Sequence, residues 1–533
     1  MCATLELEDP GFVTYEWAAD QNANIIERLT HLPARNKLYN LLSTGTDAIC
    51  CLVKHHLQLN HRDVCIIAPQ DEWLQGSFNV CIPIEVQSSK SHRKVVLRCC
   101  LPYKLAESRY PGTVDEKLRC EVGAYTWMQE NCTDIRIPHL YGFGLSNNHH
   151  STAPGIFASP ESFNVVFMSL YGTPSPSRYT ANPTNHRLPT AYVLLEHIGP
   201  DVGQMLSNTW ADERYQNDPL RRKRLFRGMA RVILSLARVS QPRIGSFQFN
   251  DDSSVTLTNR PLTHTITTLE NEGTARTIQP TDTYSCTEQY VTDMLTLLDN
   301  RLDSDPGAID LDPSEVDENL GAIDEACREK MAAMTLLRTL SHHYIRREHR
   351  NGPFVLQLTD LHASNIFVDD EWNLTCLIDL EWVCALPADM LAVPAWLVGC
   401  GVDELEGGKM KEFEEVRLEF MHVLEEEEHN FKAQHGLSFV KIMDETWSSK
   451  AVWFWHCVKS MNAMNNLVPN HICPRFSTRL TSVAKVLSKL WCENSDCRGE
   501  RTTAAFRAYG EGLKRVFGID DDFEGGWGGG GKQ

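Results

Sequence analysis

The segment Leu358-Thr359-Asp360-Leu361-His362-Ala363-Ser364-Asn365-Ile366-Phe367-Val368-Asp369-Asp370-Glu371-Trp372-Asn373-Leu374-Thr375-Cys376-Leu377-Ile378-Asp379 decides the fold. Ile366 to Val368 and Leu374 to Ile378 are short apolar runs on either side of a polar turn, the pattern of an antiparallel hairpin. In such a hairpin the residue before the first strand lies beside the residue after the second. Asn365 and Asp379 therefore meet at the open end and present an amide oxygen and a carboxylate, hard-oxygen ligands suited to Mg²⁺. Asp360, in the loop that feeds this end, points its carboxylate into the same space. A metal pair plus one carboxylate that orients a hydroxyl is what phosphoryl transfer requires, because the metal neutralises the phosphates. Asp and Asn are also ordinary turn residues, but three of them at one end of a hairpin form a more specific arrangement. His61-Arg62-Asp63 offers a contrast: the fifth residue after Asp63 is Ala68, which binds no metal.

Upstream, Val80 to Val86 and Val95 to Cys100 read as two strands joined by a polar turn around Gln87 to Arg93. Asp115 to Gln129 places Leu118, Val122, Tyr125 and Met128 at helical spacing, an amphipathic helix facing a core. Residues 146–189 are rich in Ser, Pro, Asn and Thr and read as a surface insertion, before the apolar strand Ala191 to Leu195. Gly142-Phe143-Gly144 lacks a third Gly and a following helix start, so it reads as a turn. Downstream the spacing predicts helices over Leu220 to Val239, Thr287 to Leu302, Ile323 to Arg347, Lys411 to Asn430, Val452 to Met464 and Ser477 to Leu490, with a loop over Gln241 to Pro280. Glu425 to Glu428 read as a solvated helix end.

The Asp360 to Asn365 spacing, followed by strand, turn, strand and Ile378-Asp379, resembles the catalytic and metal-binding region of the aminoglycoside phosphotransferase and choline kinase superfamily. It is especially similar to the large fungal branch of phosphotransferase-family proteins. The resemblance spans residues 74–396. It implies Asp360 as the catalytic Asp, Asn365 and Asp379 as the metal ligands, and ATP and Mg²⁺ as cofactors. It also implies an α+β, bilobal protein-kinase-like fold with a β-rich N-lobe, an α-rich C-lobe and extra C-terminal helices. The corresponding division is a helical extension over 1–73, an N-lobe over 74–198 carrying the insertion, a C-lobe with a helical subdomain over 199–518, and a disordered Gly-rich tail over 519–533.

Gln75-Gly76-Ser77-Phe78-Asn79 stands where this family has a short Gly-containing loop over the nucleotide phosphates, which makes Gly76, Ser77 and Asn79 candidate nucleotide contacts. Read alone, the segment is a plain turn. Arg98 lies in the second strand, where kinases place the Lys that touches the α/β-phosphates. A charged residue in an apolar strand needs a partner, nucleotide or carboxylate. Glu121, on the inward face of the helix with Leu118 and Tyr125, can be that partner. A purely structural Arg98–Glu121 pair is the alternative. Arg98 in place of Lys departs from the aminoglycoside enzymes, although related choline-kinase-like sequences also use Arg. Leu194-Leu195-Glu196-His197-Ile198 resembles the hinge whose backbone binds the adenine edge, with Glu196 and Ile198 as the contacts.

One further departure concerns the family itself, and two features set the chain apart from protein kinases. Leu358-Thr359 stands where the family has His-Gly, which bears on loop geometry. His362 stands where protein kinases carry Lys, as in small-molecule kinases. Asp379 leads into Leu380-Glu381-Trp382, without Phe-Gly or an activation segment, which argues against protein phosphorylation. The expected function is a small-molecule kinase that moves the γ-phosphoryl of ATP to a hydroxyl acceptor. The alternative is a catalytically silent kinase-fold protein that binds nucleotide or a partner. No Gly-x-Ser-x-Gly elbow points to a hydrolase. The acceptor is set by Glu381 to Phe476, where the aromatic run Val452 to His456 either lines a pocket or belongs to the core.

Composition is that of a soluble globular protein with room for several domains or lobes. The chain has 533 residues, a formal charge of −19 and 42% hydrophobic content. The acidic balance, with Arg221 to Arg224 as the one basic run, excludes a phosphate-backbone binder, so no nucleic-acid partner is expected. Eighteen cysteines without a secretory signal imply reduced thiols and a cytoplasmic protein, in which the sequons at Asn131 and Asn373 have no meaning. His471, Cys473, Cys492 and Cys497 cluster loosely but carry no Cys-x-x-Cys, so no zinc is expected. Val383 to Val402, the longest apolar stretch, contains Asp389, Pro387 and Pro394 and reads as buried loop and helix, with no membrane partner expected.

Overall fold

The computed structural model describes residues 4–21, 23–88, 92–154, 175–212, 218–304, 320–431, 436–476 and 479–519. The chain is a mixed α/β protein in which an eight-stranded antiparallel sheet is followed mainly by helices. The strand order is Thr180–Ala181, His150–Thr152, Leu140–Gly144, Tyr192–Glu196, His92–Cys100, Asn79–Gln87, Val64–Ile67, with Leu74–Gln75 also paired to Asn79–Gln87.

Alternation along Asn79–Gln87 sends Val80, Ile82, Ile84 and Val86 to one face, where they are buried under Leu38, Leu42, Ile49, Leu52 and Val53 of the helices His31–Thr44 and Thr46–His56. Cys81, Pro83 and Glu85 point the other way and stay half-exposed. One face of the sheet is therefore sealed by helices, and the other is left partly open.

The helix Thr113–Asn131 follows the central strands. Gly112 enters it at φ 98°, and the Glu107 carboxylate caps it by accepting from the Gly112 and Val114 N–H groups at 2.8 Å each. Trp127 stacks on Phe247 at 5.5 Å, and a Cβ on Gly123 would lie 2.9 Å from the Phe247 backbone. One hydrophobic cluster then runs from Phe78, Phe143 and Val193 through Tyr125 and Phe226 to Phe420, Trp453 and Phe506. The core itself draws no line between an N-terminal and a C-terminal lobe.

Several expectations need correction. Gly142-Phe143-Gly144 is not a turn but part of the strand Leu140–Gly144. Glycine is needed there because a Cβ on Gly142 would lie 2.3 Å from His56 Nδ1, and one on Gly144 would lie 2.5 Å from the Tyr192 ring. The stretch read as a loop over 241–280 holds the hairpin Ser246–Phe249 and Ser254–Asn259 and the helix His264–Asn271, elements too short for a periodic signal. The insertion contributes His150–Thr152 and Thr180–Ala181 to the sheet, while 155–174 lie outside the described residues. The segment 1–73 is not purely helical, since Val64–Ile67 is a strand of the main sheet. Val383 to Val402 opens with the buried strand Val383–Pro387, paired with Phe354–Leu358.

The helix expected over Val452 to Met464 breaks into Ala451–Lys459 and Met461–Leu467 at Ser460, whose extended backbone and side chain cap the second helix. Past Leu490 the chain forms a further helix, Ser495–Val516; residues 520–533 of the tail lie outside the described residues. Glu425 to Glu428 are not merely solvated. Glu426 takes Lys223 at 2.9 Å, Glu427 takes Arg227 and Arg231 at 2.9 and 2.7 Å, and Glu428 accepts from Ser438 at the start of Phe439–Ser448. Lys223 of the basic run, with Arg227 and Arg231 one and two turns on, thus faces the acidic run across two packed helices.

Candidate functional site

Ile366–Val368 pairs with Leu374–Leu377 in the register Ile366↔Leu377 and Phe367↔Cys376. At the open end Ile378 N–H donates to the Asn365 carbonyl at 3.0 Å, which sets Asn365 beside Asp379. Asn365 is buried, and its Nδ2 donates to the Asp360 carbonyl at 2.9 Å, so the amide also shapes the loop that carries Asp360. The Asp360 carboxylate is 35% exposed, and its nearest cation-capable neighbour is His362 Nε2 at 3.9 Å. Just before Asp360, Thr359 donates both N–H and Oγ1 to the Trp382 carbonyl at 3.1 and 2.9 Å. This ties the loop to the strand that begins at Val383.

Asp379 has φ 61°, a left-handed conformation that turns the chain off the strand and aims its carboxylate at the sheet. There it meets Arg98, whose Nη2 lies 2.5 Å from Asp379 Oδ1 and 2.8 Å from Glu381 Oε2, while Nη1 lies 2.7 Å from Glu121 Oε1. Arg98 belongs to the open face of the sheet, being the register partner of Cys81. Behind it, Lys117 contacts Glu381, lies 3.2 Å from Glu121 Oε2 and donates to Asn79 Oδ1 at 2.7 Å. Asn79 completes the ring by donating Nδ2 to Glu381 Oε2 at 2.7 Å.

Burial disfavours every charge in this cluster, and the partners answer it. The Asp379, Glu121 and Glu381 carboxylates push the Arg98 pKa well above its ordinary value despite desolvation. The Cys100 thiol and the same two glutamates do so for Lys117. Burial raises the Asp379 carboxyl, Arg98 opposes it, and the nearby Glu381 and Glu121 add to the rise. For Glu381, burial is outweighed by Lys117 and Arg98, and its pKa is lowered.

Sequence reasoning paired Arg98 with Glu121 and missed Lys117 and Glu381. The signal available was the Lys117–Glu121 spacing of four on a helix whose Glu already faced inward.

The remaining expected positions are dispersed. Asn79, expected at the phosphates, has both ends of its amide committed inside the cluster. Gly76 and Ser77 are exposed on the rim of a cleft of about 1110 Å³ shared with Glu8, Arg35, Tyr39 and His264. The adjoining Gln75 is held there by Tyr39 and Glu8 at 2.7 Å each. Glu196 ends the strand Tyr192–Glu196 and binds Arg136 at 3.1 Å and the His139 N–H at 3.1 Å. Ile198 is half-buried just beyond, before the chain pairs Gln204 with Val368 of the hairpin.

The oxygens Asn365 Oδ1 and Asp379 Oδ2 accept no hydrogen bond among the described residues. That donor set, one amide and one carboxylate oxygen, fits Mg²⁺, which keeps several waters and takes phosphate oxygens. Among the described residues no group of three or more His, Cys, Asp or Glu is placed to hold a metal by itself. Every described cysteine is free. No helix among the described residues is long and apolar enough to cross a membrane.

No known protein family matches the chain, and no characterised protein matches it in sequence. Among solved structures it is similar to an ethanolamine kinase of Plasmodium vivax, at 12% identity over 85% of each chain with a TM-score of 0.33. A likeness of that size carries no argument about activity.

Proposed function

We propose that the chain is an ATP- and Mg²⁺-dependent phosphotransferase of the aminoglycoside phosphotransferase and choline kinase type, acting on a hydroxyl of a small molecule. The observation that carries this reading is the Arg98 guanidinium, which joins Glu121 of the inward helix to Asp379 at the hairpin end. A phosphate-side cation and a metal-side carboxylate are thereby fixed in one frame, and Asn365 ties the loop of the half-exposed Asp360 to the same hairpin end.

In this reading the open face of the sheet, with Cys81, Pro83 and Val96, takes the base, next to the segment Glu196 to Ile198. The exposed Gly76 and Ser77 close over the phosphates. Asn365 and Asp379 hold Mg²⁺, which when bound neutralises phosphate charge. Arg98 has five N–H donors, of which the carboxylates use three, and it turns the others toward the phosphates. Asp360 accepts the hydroxyl proton and orients the oxygen for attack. The sheet and the helices after it act as the two lobes.

The test is ADP formation from Mg-ATP across a metabolite panel. Acceptor-dependent turnover abolished by Asp360→Ala supports the reading, and full activity in Asp379→Ala would sink the metal assignment. Two observations favour a catalytically silent nucleotide binder: Asp379 already has Arg98 as a partner, and Asn79 is withdrawn from the cleft. A thermal shift with Mg-ATP and no ADP formation over the whole panel would select that second reading.

A further inference from the structure

Lys117 and Glu381 lie at the back of the cluster, and neither is reached by the roles proposed above. An ammonium group has three donors. Those of Lys117 are taken by Asn79 Oδ1 at 2.7 Å, Glu121 Oε2 at 3.2 Å and Glu381 Oε2, with Cys100 Sγ at 3.9 Å. None is left for a ligand. Glu381 Oε2 gathers Lys117, Arg98 Nη2 at 2.8 Å and Asn79 Nδ2 at 2.7 Å. The two cations cancel Glu121 and Glu381, so the charge left over belongs to Asp379. The same residue is the one that opens outward: its side chain is 28% exposed, against 7% for Arg98, 3% for Glu381 and less for Lys117 and Glu121.

We infer that Lys117 and Glu381 are positioning residues, a buried balancing pair that leaves the surplus negative charge on Asp379 and keeps Arg98 shared between the cation site and the nucleotide phosphates. The inference rests on the phosphotransferase reading. Without Lys117, two buried glutamates compete for Arg98 and the whole cluster becomes more negative. Without the Glu381 charge, the cluster becomes more positive and Arg98 is freed toward an anion. The pair thus sets the balance between two ligands of opposite charge.

The test uses the full chain and two probes bound separately: Mn²⁺ alone, read by electron paramagnetic resonance, and metal-free ATP, read by equilibrium dialysis. Lys117→Met is expected to bind Mn²⁺ about tenfold more tightly and ATP about tenfold more weakly, from one charge acting over a short, partly screened distance. Glu381→Gln is expected to shift both in the opposite directions. The double variant restores the charge count without the native hydrogen bonds, and both affinities return to within a factor of about three of the unmodified chain. If Lys117→Met does not fold by circular dichroism, Glu381→Gln and the double variant carry the same test. Shifts of the same sign for both probes, or no recovery in the double variant, overturn the inference and leave the phosphotransferase reading standing. An unmodified chain that binds neither probe overturns both.

Discussion

Asp379 Oδ1 lies 2.5 Å from Arg98 Nη2, across 281 positions of sequence, and this contact brings the hairpin end to the open face of the sheet. Removing the cation takes the Asp379 partner away and leaves Glu121 and Glu381 to share Lys117 alone. Arg98→Met is expected to cost about 3–5 kcal/mol of stability, the range for breaking a buried pair from one side, with ATP affinity lost as well. Urea unfolding and a nucleotide-binding isotherm check the two effects.

Asp360 stands apart from that cluster, half-exposed and joined to no cation at hydrogen-bond distance among the described residues. Asp360→Asn is therefore expected to leave stability within about 0.5 kcal/mol while lowering acceptor-dependent turnover by about 10³-fold, as loss of a positioned proton acceptor does. A variant that unfolds early, or one that keeps its turnover, would show that the residue is structural or idle.

His56 is buried between Thr152 Oγ1 at 2.8 Å and the Tyr192 hydroxyl at 2.9 Å. Burial, with smaller help from His55 and His150, lowers its pKa to about 3. A histidine depressed in the folded state contributes stability that is present above its unfolded pKa and is lost as pH falls toward the folded one. From pH 7 to pH 5 this one residue is expected to withdraw about 2 kcal/mol. Denaturant melts at both pH values should show a smaller difference in His56→Gln than in the unmodified chain.

The same ring explains a glycine. With its Cβ only 2.3 Å from His56 Nδ1, Gly142→Ala forces the His56 ring out of its place between Thr152 and Tyr192. The expected cost is about 1–3 kcal/mol, and it should shrink in the background of His56→Ala, where the clash is gone. A double-mutant cycle on melting free energies measures that coupling.

How much of this could be read from residues alone differs from place to place. The Asp360 to Asp379 hairpin was legible because period and turn are local properties, and the inward Glu121 because an amphipathic stripe fixes direction. Lys117 was not, since a lysine one position from Leu118 looks like the start of a polar face until a carboxylate from residue 381 arrives behind it. Gly142 and Gly144 were misread for a related reason: in a strand, glycine reports a neighbour that packs too close, and His56 and Tyr192 come from elsewhere in the chain. Glu426 and Glu427 found their cations on a helix some 200 positions away. Local pattern predicts an element, whereas the partner of a charge is a tertiary fact.

The Tyr509 hydroxyl accepts from the Ile25 N–H at 3.0 Å and donates to the Ala23 carbonyl at 3.3 Å, while Tyr15, Ile25, Leu513 and Phe517 share a small cluster of their own. During synthesis the segment around Ile25 leaves the ribosome long before residue 509 exists. Its native lid is the helix Ser495–Val516, so for most of translation its apolar side chains lack that side of their packing. Closure of that contact is a late event in maturation, paid for by a loop of 484 residues. A nascent chain stalled before Ser495 should therefore remain cleavable by protease near residue 25 after the sheet has become resistant.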